Sequence, residues 1–89
     1  MDNKELFEKL AAIEHERWAD WQKYVHQKCS PIFEKGQLKG LLIPAELVLQ
    51  WERQISTLYK DLTETEKEKD HEQVRRYWHL ISPTQEDPQ

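Results

Sequence analysis

Both glycines of this chain, Gly36 and Gly40, and two of its four prolines, Pro31 and Pro44, fall in the single stretch 31–44. Residues 1–30 and 45–82 contain neither type. Gly and Pro are the strongest local breakers of helices, so helix is confined to the two flanks of that stretch. Any fold open to the chain is built from a long segment before it and a second one after it.

The first segment reads as one helix. Asp2 or Asn3 can cap it, and Glu5 sits in its first turn, where a negative charge suits the helix dipole. Leu6, Leu10, Ile13, Trp21 and Tyr24 recur at helical spacing, with Phe7, Ala11, Trp18 and Val25 widening the stripe. The helix should run to about Lys28, where "CSP" stops it, because Pro31 disfavours helix at Ser30. Residues 31–43 read as a loop, with a short strand or hairpin around 38–43.

A second helix follows, with Pro44 as its first residue, a stripe of Leu47, Val48, Trp51 and Ile55, and an end near Ser56. "TLYKDL" is a connection. Thr63 and Glu66 then form the T-x-x-E signature of a capped start. The third helix is expected from about Glu64 to Ile81, stopped before Pro83. Its first ten residues are polar, and Val74, Tyr77, Trp78 and Ile81 supply its apolar face. The expected fold is therefore mainly α: a compact three-helix domain over 1–82, with a loop or short β-hairpin between helices 1 and 2. The tail 83–89, "PTQEDPQ", has no reason to be ordered.

At 89 residues with 37% hydrophobic and 34% charged content, the aliphatic supply is thin. Four Trp, three Tyr and two Phe compensate, each able to remove roughly 150–250 Å² from water. A chain this small suits a homodimer or a ligand-stabilised monomer. Its net charge of −4 disfavours general affinity for a nucleic-acid polymer, which needs a basic face. The single Cys29 forms no internal disulfide, the N-terminus lacks a signal-peptide pattern, and no run is long and apolar enough for a membrane span. A cytoplasmic protein is expected, with no membrane partner.

Motifs of catalysis are missing. There is no G-x-S-x-G, no phosphate-binding loop and no G-x-G-x-x-G, and nothing around Cys29 resembles a nucleophile's setting. His15 and His26 are eleven apart, His71 and His79 eight apart, and neither pair has the i,i+4 spacing of a helical metal site. Neither an enzyme nor a cofactor is expected. What remains is an aromatic and basic set that includes Trp18, Trp21, Trp51, Arg53, Tyr59, Arg75 and Trp78. Aromatics at helical spacing are usually core, and Trp21, Trp51 and Trp78 occupy such positions. Trp18 lies about 90° off the stripe's centre, where an indole is half exposed. An edge Trp beside an arginine can stack a planar ring while the guanidinium holds an anion.

"EHERW" at 14–18, "W-x-R" at 51–53 and "LYKDLTETEKEKDHEQVRRYWHLI" at 58–81 together resemble the RyR domain, the repeat named from the ryanodine receptor. That repeat also occurs as small bacterial and phage proteins. The resemblance rests on H-x-x-W (His15, Trp18) and an L-[ST]-E-x-E-K-x-x-D block (Leu62, Thr63, Glu64, Glu66, Lys67, Asp70), and it covers about half the chain. The family's G-W-x-[YF]-G turn after the first helix is replaced here by "KCSPIFEKGQLKG", and its frequent Pro by Leu58. The resemblance implies a mainly helical module that senses or sequesters a nucleotide signal, with Trp18, Trp51, Arg53, Tyr59 and Asp70 near the site. In that reading Arg53 or Arg75 pairs with phosphate and Asp70 accepts from a ribose or base amine. The alternative is a protein-interaction or homo-oligomeric assembly module, in which the edge aromatics with Phe33, Leu41 and Leu42 form an apolar patch.

Overall fold

The computed structural model describes residues 1–82. In chain order these form α1 (Asn3–Lys28), β1 (Ser30–Glu34), β2 (Gln37–Leu42), α2 (Ala45–Ile55), a single 3₁₀ turn (Tyr59–Asp61) and α3 (Glu64–Ile81). The protein is mainly α, with three helices and a two-stranded antiparallel hairpin between the first two. The expected tail at 83–89 lies outside the described residues. The chain falls into two compact units. Among the described residues, one combines Met1–Ala19 with 63–82; the other is Asp20–Leu62.

In the first unit, Asp2 opens α1 by accepting a 2.7 Å hydrogen bond from the Glu5 amide on its side chain. Leu6, Leu10 and Ile13 form its half-buried row, while Phe7 on the neighbouring row is exposed. α3 starts on a complete capping box. The Glu66 amide donates to Thr63 Oγ1 at 3.2 Å, and the Thr63 amide donates to Glu66 Oε1 at 3.0 Å. Tyr77 and Trp78 are half-buried, as their spacing suggests, but Val74 and Ile81 are exposed. The covered row runs instead through Gln73, Arg76, Tyr77 and Leu80, slightly rotated from the purely apolar one.

In the second unit, the hairpin begins two residues after α1 ends and occupies more of the interval than the expected 38–43. Its two-residue turn holds Lys35 at φ 52° and Gly36 at φ 76°, the paired positive values of a type I′ turn. Glycine adopts such a φ freely; lysine does so at a cost. Phe33 faces Leu38 and Ile32 faces Gly40, so Lys39 is an extra residue without a partner on β1, a β-bulge.

α2 begins at Ala45, one residue later than expected. Pro44 is extended (φ −55°, ψ 139°) and caps the helix with its carbonyl, which accepts from the Leu47 and Val48 amides. Leu47, Trp51 and Gln54 form its half-buried row, whereas Val48 and Ile55 are exposed, Ile55 at 77%. The apolar stripe read at 47, 48, 51 and 55 is thus wider than the face that is covered. The helix closes on Ser56, whose hydroxyl donates to the carbonyls of Glu52 and Arg53, both at 3.1 Å.

Candidate functional site

The six residues nominated for ligand contact divide between the units: Trp18, Asp70 and Arg75 in the first, Trp51, Arg53 and Tyr59 in the second. Trp18 is 57% exposed, in keeping with its place at the edge of the α1 stripe. Its indole stacks on the His15 ring, centroids 6.0 Å apart and planes at 26°, as i,i+3 neighbours on a helix can. Immediately before Trp18, Arg17 donates from Nε and a terminal nitrogen to one Glu14 oxygen, at 3.0 and 2.7 Å. That hydrogen bond holds the Glu14 carboxyl below the usual carboxylate range and raises Arg17. The cation nearest Trp18 in sequence is therefore committed to a carboxylate.

Arg75 is committed in the same way. Its guanidinium donates to Glu68 Oε1 at 2.6 Å, and Glu68 Oε2 lies 3.2 Å from His71 Nδ1. The Glu68 carboxyl is lowered by the Arg75 hydrogen bond first and by His71 second. These i,i+3 and i,i+7 contacts line up on one side of α3. Asp70 is exposed, and its five-residue separation from Arg75 turns the two side chains about 140° apart around the helix.

In the second unit Trp51 packs on Trp21, ring centroids 5.5 Å apart and planes at 58°. Trp21 stacks on Tyr24 at 5.5 Å, and Lys28 Nζ lies 5.8 Å over the Tyr24 ring. This aromatic row anchors α2 to the last turns of α1, and Cys29, 8% exposed and free, follows it as the one buried residue among those described. Arg53 follows Trp51 by two positions, so it points to nearly the opposite side of α2. Tyr59 is exposed in the 3₁₀ turn.

Two recesses lie away from these residues. One recess of about 220 Å³ in the first unit is lined by Leu10, Glu14, Tyr77 and Ile81. Another, of about 470 Å³, runs along the first turns of α1 between charged side chains such as Lys4, Glu8 and Lys9. None of the six nominated residues lines either. Among the described residues no three His, Cys, Asp or Glu side chains gather in metal-binding geometry, and no helix is long and apolar enough to cross a membrane.

Comparison with known protein families, curated proteins and solved structures yields no match to this chain.

The second unit exposes many large apolar side chains. Ile32, Phe33, Leu38, Leu41 and Leu42 of the hairpin are exposed, as are Leu49, Ile55 and Leu58 in and after α2. Phe33, Leu41 and Leu42 belong to the apolar patch expected from the sequence; Ile32, Leu38, Leu49 and Leu58 lie beyond it. The signal for Ile32 and Leu38 was present: a Gly-containing two-residue turn flanked by apolar residues is a hairpin pattern.

Proposed function

We propose that the chain is a non-enzymatic protein-interaction or assembly module. One observation carries this reading: eighteen large hydrophobic side chains are exposed while Cys29 is the one buried residue among those described. Single exposed apolar residues are ordinary, but this many leave apolar surface that stabilises a protein only when something covers it. Hydrophobic burial at roughly 25 cal/mol per Å² is the main favourable term in folding and in association alike.

The test is dye binding read together with mass. An apolar-surface dye such as ANS should light up on a 10.8 kDa species, or the species should be heavier and its surface already covered. A 10.8 kDa monomer that binds no dye covers its own apolar surface and would sink the reading.

A second reading, a binder of a nucleotide-like small molecule of the RyR type acting as a sensor or a phage-style sink, is favoured by the exposure of Trp18. It expects base stacking on that indole. A thermal-shift screen with mono-, di- and cyclic nucleotides tests it: at a hundred times Kd a ligand adds about 2.7 kcal/mol, and no shift at millimolar nucleotide rejects it.

A further inference from the structure

The hairpin has one apolar face and one mixed face, where Ile32 and Leu42 stand among Ser30, Glu34 and Gln37. Its register places Pro31 and Phe33 with Leu41 and Leu38 on one face, the bulge at Lys39 bringing Leu38 to that side. Ile32 and Leu42 lie on the other. Phe33 and Leu38 are 62% and 61% exposed. An antiparallel sheet with one apolar face normally packs that face on a core. Here the strands pack chiefly on each other, and an isolated two-stranded hairpin is at best marginally stable in water.

The edges are less inviting than the faces. Pro31 removes a backbone donor from β1, and the bulge at Lys39 puts a twist and a charge on β2. Both devices discourage an added strand. The connectors are short as well: Cys29 alone joins α1 to β1, and only Ile43 and Pro44 join β2 to α2. They leave little slack for the hairpin to bend back over its own helices.

We propose that the hairpin is a dimerisation arm, and that its occupant is a second copy of this chain. The inference rests on the interaction-module reading and names its partner. Each arm seats against the exposed apolar side chains in and after α2 of the other copy, Leu49, Ile55, Leu58 and Tyr59. The areas agree. At roughly 200 Å² for a fully exposed large apolar side chain, Phe33, Leu38 and Leu41 on one face of the arm leave about 320 Å² uncovered. Leu49, Ile55, Leu58 and Tyr59 in the same unit leave about 530 Å². Reciprocal seating of that arm face buries about 320 Å² on each side of two equivalent contacts, roughly 1,300 Å² in total, within the range of stable specific interfaces. Carrying both halves of the contact on one chain is what a closed two-fold interface requires. Charge agrees too: Lys35 and Lys39 outnumber Glu34 on the arm, while α2 carries Glu46 and Glu52 against Arg53.

Light scattering on the size-fractionated full chain at high micromolar concentration, with ANS present, tests the proposal. The expected mass is twice 10.8 kDa, falling to 10.8 kDa in Phe33→Asp/Leu38→Asp and, independently, in Leu49→Asp/Ile55→Asp. A dimer that survives either double variant overturns the arm. A wild-type monomer that binds ANS overturns the second copy as occupant but leaves the interaction module standing, whereas a monomer that binds none overturns both. Should the variants lose their helical circular dichroism, amide exchange of the wild type decides. Residues 30–42 should exchange more slowly as protein concentration rises, and exchange independent of concentration overturns the proposal.

Discussion

At the scale of the residue, two surface carboxylates are pinned by arginines, and the sign of their effect follows. Glu14 and Glu68 have folded-state values below the ordinary range because Arg17 and Arg75 donate to them. A depressed carboxylate contributes stability that is complete above its unfolded value and is lost as pH falls through the folded one. Glu68→Gln should therefore narrow its stability gap to wild type as pH drops from about 5 towards 2, which acid-series unfolding curves will show. Both groups are solvent-exposed, so the gap at neutral pH should be small. The indoles divide in the same spirit. Trp18→Ala should cost less than about 1 kcal/mol, because more than half of that side chain is already in water. Trp51→Ala removes the partner of Trp21 and should cost about 2–3 kcal/mol. Urea unfolding separates the two, and equal costs would contradict the assignment of Trp51 as anchor.

At the scale of the element, short polar signals set the boundaries. The reciprocal bonds between Thr63 and Glu66 satisfy two otherwise unpaired amides at the head of α3, whose first turns carry no apolar row to hold them. Thr63→Ala should cost about 1 kcal/mol and lower Tm by about 4–8 °C, read by circular dichroism. The hairpin turn offers the opposite change. Lys35 sits at φ 52°, a conformation asparagine tolerates better than lysine, so Lys35→Asn should stabilise the protein by up to about 1 kcal/mol. A loss of stability on that substitution would argue against the type I′ turn. The capping box was legible because both partners are three residues apart in the chain. The hairpin was legible only in part: its turn uses Lys-Gly rather than Asn-Gly, and a bulge breaks the alternation that marks a strand.

At the scale of the whole molecule, the relation between apolar content and coverage governs behaviour. Ile55, Leu49 and Phe33 are each more than 60% exposed. A protein stabilised by covering such residues through association has a concentration-dependent Tm, because mass action favours the assembled state. Diluting the protein a hundredfold should lower its Tm measurably by differential scanning fluorimetry, and an unchanged Tm would point to a self-sufficient monomer. The nominated ligand residues belong to the same question. Their types suited stacking and anion binding, yet Arg75 spends its guanidinium on Glu68, and Trp51 and Arg53 leave α2 on opposite sides.

The sequence alone determined the extent of each helix, because helix starts and stops depend on residues within one turn of one another. Asp2, Pro44, Thr63 and the Gly/Pro-bearing stretch act locally, and α1 and α3 end where these neighbours dictate. Which side of each helix is covered was decided only by tertiary structure. The stripes at Val48 and Ile55 and at Val74 and Ile81 had the same periodicity as the rows that are covered, and periodicity carries no information about what arrives to cover a face. Coverage depends on residues far apart in the chain, or on another chain, and a local pattern of apolar side chains is satisfied equally well by either.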